Sequence, residues 1–216
     1  MRAHYWLSAL LYLIVQPLHA GQFRTLCFFG SSSSQELYHI EKNTLTKTDL
    51  PSRNLSQTYQ FTADKPITFG RPHPEKPNTL IPHLTVTAPE GVHDLIILFL
   101  PSEAPQVPLK AIPINASWQV FKAGELMFLN FSQQNVSAVL GKTRFVLPSG
   151  SPKKIASPLT DDRYFVSIRS EASRGWRPLF KGFWPTEANL RRFIIVFDDP
   201  KNKTVRLMGI PDRQQP

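Results

Sequence analysis

Leu95-Ile96-Ile97-Leu98-Phe99-Leu100 and Phe193-Ile194-Ile195-Val196-Phe197 are the stretches on which the fold turns. A strand with one wet face alternates apolar and polar residues, whereas an unbroken apolar run has both faces covered. Each run is strand-sized and far short of the roughly 20 apolar residues that span a bilayer. The cover for the outer face is expected from a loop of the same domain, from another domain, or from a partner protein. Left bare, such a face favours association, since apolar area is worth about 25 cal/mol per Å².

The two runs also resemble each other. Ile96-Ile97-Leu98-Phe99 aligns with Ile194-Ile195-Val196-Phe197 at an offset of 98, which carries Val107 onto Val205, Leu109 onto Leu207, Ile112 onto Ile210 and Pro113 onto Pro211. Leu50-Pro51-Ser52 matches Leu147-Pro148-Ser149 at an offset of 97. Gly21-Gln22-Phe23 and the strand from Leu26 resemble Gly124-Glu125-Leu126 and the strand from Met127. Landmarks in the same order in both halves indicate an internal repeat. The chain is therefore expected to hold two related domains, Gly21–Pro113 and Ile114–Pro216, the second repeat running from about Asn115 to Pro211. A single sandwich of ten to fourteen strands is the alternative.

β-Branched and aromatic runs punctuated by turn residues give seven short strands per half. In the first they are Phe23–Phe29, Glu36–Glu41, Ser56–Thr62, Pro66–Phe69, Leu80–Ala88, Asp94–Leu100 and Pro108–Ile114. In the second they are Glu125–Phe131, Val136–Leu140, Arg144–Leu147, Tyr164–Ser170, Arg177–Trp184, Phe193–Phe197 and Thr204–Ile210. That pattern predicts an all-β protein of tandem immunoglobulin-like antiparallel β-sandwich domains. Phe69–Pro82, with four prolines, reads as an extended loop, Gly30–Ser34 as a hairpin tip, and Lys153–Asp162 as a linker. Glu187–Arg192 reads as a loop.

The N-terminus has a basic Arg2, an apolar run from Tyr5 to Val15, and Pro17 before Ala20. These are the parts of a secretory signal peptide, residues 1–20, with no transmembrane segment after cleavage. Cys27 is the only cysteine, so the mature chain must fold without an intramolecular disulfide. Export without disulfides suits a bacterial periplasmic or secreted protein better than an animal secretory route. Five Asn-x-Ser/Thr triplets, at Asn54, Asn115, Asn130, Asn135 and Asn202, read as chance matches. The net charge of +9 becomes +8 once Arg2 leaves, which favours anionic partners of the envelope over nucleic acid. Lys153-Lys154, Arg191-Arg192 and Lys201 with Lys203 are its densest groups.

Trp118, Trp176 and Trp184, with Arg174 and Arg177 beside the second, are the candidate ligand or partner contacts. Loop tryptophans flanked by arginine stack on sugar rings and pair with acidic groups; plugging a core is the other use of such residues. His73, His83 and His93 lack the short paired spacing of a zinc site, so no metal or other cofactor is expected. Asp198-Asp199 reads as turn chemistry. Gly141-Lys142-Thr143 is not a P-loop, because Val136 stands where the first glycine belongs. No Gly-x-Ser-x-Gly elbow occurs, Cys27 reads as a core thiol, and a catalytic role is not expected.

The segment Glu125–Gly150, Glu-Leu-Met-Phe-Leu-Asn-Phe-Ser followed by Val-Ser-Ala-Val-Leu-Gly and Phe-Val-Leu-Pro-Ser-Gly, resembles a unit of uncharacterised exported bacterial β-sandwich proteins. It also resembles the alginate O-acetylation accessory proteins, which are periplasmic and made of two β-sandwich domains. The resemblance covers about 26 residues and carries over no functional residue. It implies a non-enzymatic adaptor beside an envelope polysaccharide system, whose partner is an envelope protein. The alternative is a carbohydrate-binding module for an anionic envelope polysaccharide.

Overall fold

The computed structural model describes residues 20–28, 36–62, 64–102, 109–158, 162–173, 175–199 and 202–213. Residues 1–19 of the signal-like segment, the Gly30–Ser34 tip, Arg174 and Lys201 lie outside the described residues, while Ala20 opens the first strand. No described helix is long and apolar enough to cross a membrane.

The first half carries β1 (Ala20–Cys27), β2 (Leu37–Glu41), β3 (Thr44–Thr48), β4 (Tyr59–Thr62), β5 (Ile67–Pro72), β6 (Leu80–Val86), β7 (Asp94–Pro101) and β8 (Leu109–Asn115). The second carries β9 (Glu125–Asn130), β10 (Val136–Leu140), β11 (Thr143–Leu147), β12 (Pro152–Ala156), β13 (Arg163–Ala172), β14 (Gly175–Pro185), β15 (Leu190–Asp199) and β16 (Thr204–Arg213). In the first half an inner sheet of order β4-β1-β7-β8 faces an outer sheet of order β3-β2-β5-β6. Adding eight to each label gives the second half: inner β12-β9-β15-β16, outer β11-β10-β13-β14. The protein is thus all-β, a tandem of β-sandwiches.

The pairing departs from a purely antiparallel scheme in one way, and does so twice. β1 runs parallel to β7, and β9 runs parallel to β15. A bulge recurs at equivalent places as well. His83 is the extra residue of β6 opposite the Phe69–Gly70 step, and Leu179 that of β14 opposite Ile168–Arg169. Gly70 is required at the first bulge, because a Cβ there would lie 2.1 Å from the Ile81 carbonyl oxygen.

The two strands that sequence reading passes over are β3 and β12; Lys153–Asp162 is therefore not simply a linker. Each is a short edge strand with little apolar content, and Pro152–Ala156 holds two lysines. Both twins were legible, β11 through Phe145 and Leu147 and β4 through Tyr59 and Phe61. Phe69–Pro82 is also not one loop. β5 continues to Pro72 and β6 starts at Leu80, because Pro82 falls at the bulge of an edge strand, where a missing N–H is tolerated. The β2–β3 connection is a two-residue turn with Lys42 and Asn43 both at positive φ, and the β10–β11 turn is Gly141-Lys142 with Gly141 at φ 56°.

Three apolar cores result. One lies within each sandwich, and the third lies between the two inner sheets. Along β7, Leu95, Ile97 and Phe99 enter the first sandwich, while Ile96, Leu98 and Leu100 face the second half. Along β15, Ile194 and Val196 point inward, while Phe193, Ile195 and Phe197 meet the first half. The outer faces of both runs therefore cover each other, and the ring centroids of Phe28 and Phe197 sit 4.5 Å apart across the seam. This corrects the repeat register. At an offset of 98 Leu95 would correspond to Phe193, which faces the opposite way. An offset of 97 puts Ile96, Leu98 and Leu100 on Phe193, Ile195 and Phe197, all in the seam. A one-residue slip exchanges the two faces of a strand, and near-identical aliphatic runs give sequence alignment no means of noticing it. For β8 and β16 the offset becomes 96, which matches Ile114 to Ile210. The Leu-Pro-Ser match is likewise a coincidence of sequence. The Cys27 amide bonds Pro51, whereas the equivalent Asn130 amide bonds Ser151, 100 residues later.

His39 is buried in the first core among the rings of Phe23, Tyr59 and Phe69, with Nδ1 2.8 Å from Thr48 Oγ1 and Nε2 without a hydrogen bond. Burial lowers its pKa to about 4, against a smaller upward pull from Glu41. A histidine held neutral in the fold adds stability above the unfolded value of about 6.5 and loses it as the pH falls toward 4. The full swing amounts to about 3 kcal/mol. His39→Phe should therefore show a smaller drop in urea midpoint between pH 7 and pH 4.5 than the parent; an identical drop would assign the acid lability elsewhere. In the seam, Leu98→Ala and Ile195→Ala should each lower the unfolding free energy in denaturant by about 2–5 kcal/mol.

Candidate functional site

The seam ends in a buried charged node. Arg24 of β1, Asp94 of β7, Arg191 of β15 and Asp212 of β16 alternate in step with the seam residues of their strands, so all four point to the junction. Arg24 grips Asp212 with both ends of its guanidinium, Nη1 to Oδ1 at 2.6 Å and Nη2 to Oδ2 at 3.1 Å. A fork of this kind is the strong, orienting form of ion pair, and here it ties the first strand to the last. Arg191, fully buried, gives Nε to Asp212 Oδ2 at 2.8 Å and Nη1 to the Phe121 carbonyl at 2.7 Å. Its Nη2 lies 2.7 Å from Asp212 Oδ2 but off the line of a hydrogen bond, so that contact is Coulombic.

Trp118, in the connection between β8 and β9, caps the node. Its ring centroid is 3.5 Å from Arg191 Cζ, a close cation–π contact. Asp94 sits at the equivalent position to Arg191 once the offset of 97 is applied. Burial pushes its carboxyl up, against the downward pull of Arg24 and Arg191, while Asp212 adds a further push upward. Burial likewise lowers Arg191, and Asp212 opposes that shift. Two arginines and two aspartates make the node formally neutral.

Two clefts flank the node, of 590 and 530 Å³, and they share Gln22, Asp94 and Trp118. The first is rimmed by Asn54, Gln57 and Thr58, the second by Ser117 and Gln119. Among the described candidate residues, only Trp118 reaches this place. Trp176, Arg177 and Trp184 belong to β14 of the second outer sheet. The Leu179 bulge separates the two tryptophans. Trp184 pairs with Tyr164 and packs on the second core, whereas Trp176 pairs with Glu171 on the outer face. Arg177 pairs with the buried Ser170 and is itself exposed. Arg174 is outside the described residues. Arg24, Asp94 and Asp212 were not anticipated, since single charged residues at strand ends look like ordinary solvation until the strands are paired.

That outer face is the second surface. Pairing places Val146, Val139, Phe165, Phe183 and Trp176 on it, with Arg144, Arg163, Arg169 and Lys181 between them. Phe183, Val146 and Trp176 are 59, 54 and 42 % exposed, three of the five large apolar side chains that the described residues leave in solvent. Arg163 lies over the Phe183 ring at 5.2 Å. Glu171 is the one carboxylate at the described strand positions of this face. His73, His83 and His93 are scattered over the β5–β6 loop, β6 and the β6–β7 loop, and no group of metal-ligating side chains is found among the described residues.

No family model matches the chain, and no curated protein matches it.

Removing one member of the node strands the others. Asp212→Asn takes the charge from between two arginines, one of them fully buried, and an uncompensated buried charge costs about 3–5 kcal/mol. The variant should lose that much in denaturant unfolding, while Lys47→Ala, which breaks an exposed pair with Glu36, should change it by under about 1 kcal/mol.

Proposed function

We propose that this protein is an exported, non-catalytic interaction module of the cell envelope, which docks an acidic partner protein on the outer face of the β11-β10-β13-β14 sheet. The supporting observation is the concentration of exposed Phe183, Val146 and Trp176 on one sheet face among four cationic side chains. Apolar centres with Trp, Phe and Arg are the composition of protein-binding patches. The cations supply charge complementarity, hence an acidic partner. Phe165 and Phe183 meet at 71° and do not form a coplanar platform, which favours a protein over a stacked polymer. The basic, apolar and Pro17-to-Ala20 succession at the N-terminus supports export.

The seam residues Ile96, Leu98 and Leu100 are excluded as a docking face because the second half covers them. Envelope extracts should yield a partner that the parent protein retains at low salt and releases at high salt. The double variant Arg163→Glu, Lys181→Glu should lose that partner with its melting temperature unchanged. Equal capture by both proteins would defeat the proposal, as would a face that retains only acidic polysaccharide.

A further inference from the structure

We infer that the groove formed by the two clefts at the junction binds an uncharged, hydroxyl-rich chain, a neutral glycan, with one sugar ring on Trp118. This site is independent of the docking face, which lies on the far side of the second sandwich.

Three observations carry the inference. Trp118 stands where the clefts meet, half-buried and lining both. Arg191 stacks on its ring at 3.5 Å, which fixes the indole in place while it lines both clefts. A rigid aromatic face is complementary to the axial C–H face of a pyranose, and stacking on it needs no further ordering of the side chain.

The arginines that line the groove are already paired. Arg24 is taken by Asp212, and Arg213 by Glu187 at 2.7 Å. Asp94, which lines both clefts, forms no such pair: its Oδ1 is buried without a hydrogen-bond partner in the field of Arg24 and Arg191, and a donating hydroxyl satisfies it without adding charge. No unpaired guanidinium among the described rim residues is left to select a phosphate or a sulfate, and an anionic ligand would have to break an existing pair.

What the rim offers instead is amides and hydroxyls. Asn54, Gln57 and Thr58 border one cleft and Ser117 and Gln119 the other, with Gln22 common to both. Side chains that both donate and accept match sugar hydroxyls, which do the same. Clefts on either side of a central ring suit a chain running past Trp118 rather than a single sugar.

The test is titration calorimetry of the mature chain with neutral cello-, xylo- and chito-oligosaccharides, and with alginate as the anionic comparison. Saturable binding of a neutral chain is expected. Trp118→Ala should weaken it about tenfold or more, equivalent to about 1.4 kcal/mol. Because that change also uncovers Arg191, Thr58→Trp serves as the second variant. It fills the exposed rim of one cleft without touching the node, and should abolish binding while leaving the melting temperature unchanged. Arg163→Glu, Lys181→Glu should bind the neutral chain as the parent does, which separates this site from the docking face. No heat with any neutral chain, full affinity in Thr58→Trp, or binding confined to alginate would each overturn the inference.

Discussion

The seam between β1, β7 and β8 on one side and β9, β15 and β16 on the other is what makes one molecule of two sandwiches. Each inner sheet is apolar on both faces, which no isolated sandwich of this size tolerates in water. Ile96, Leu98 and Leu100 need Phe193, Ile195 and Phe197 as much as either set needs its own core. A fully buried aliphatic or aromatic side chain is worth about 1.5–3 kcal/mol, so the seam rivals a domain core in driving force. The absence of a disulfide follows naturally: with three apolar layers the chain buries enough surface to do without one.

The seam also explains the charged node. Four sheets stacked face to face leave the ends of their strands exposed to water at the edge of the junction, where an apolar residue would be half wet and an isolated charge half dry. Arg24 and Arg191 resolve this by sharing Asp212, with Asp94 held in the field of both arginines. A buried ion pair seldom adds net stability relative to an apolar replacement, so its contribution is better sought in geometry. The bidentate Arg24–Asp212 contact fixes how the last strand meets the first half, and the Arg191–Phe121 bond fixes the β8–β9 connection against β15 of the second. Without such directional contacts an aliphatic seam would tolerate sliding.

The class of fold, the duplication and most strands were legible in the sequence because they rest on periodicity and on the placement of turn residues. The runs at Leu95 and Phe193 announced that both strand faces are covered, and one of the three covers anticipated, another domain, is the one the fold uses. Register was not legible. Ile-Ile-Leu-Phe aligns with Ile-Ile-Val-Phe better than with Phe-Ile-Ile-Val, yet only the latter pairing puts equivalent residues on equivalent faces. β3 and β12 escaped because an edge strand is specified largely by backbone bonds to its neighbour, which leave little trace in side-chain pattern. Trp176 and Trp184 look like partners in one dimension; a single extra residue, Leu179, sends them to opposite sides of the sheet.

Duplication followed by burial has a consequence for where binding sites arise. The faces that meet in the seam are lost as surfaces, and the two outer sheets are left as the broad faces free to meet another molecule. Of these, the second has diverged toward exposed aromatic and basic residues, while the first holds a mixed set that includes Glu36 paired to Lys47. The junction is different in kind, since its groove borrows Gln22, Asn54 and Asp94 from one half and Asp212 from the other, with Trp118 from the connection between them. Neither sandwich alone possesses that groove. A ligand held there touches both halves at once and is sensitive to their relative placement, so the same node that fixes the junction also shapes whatever the junction binds.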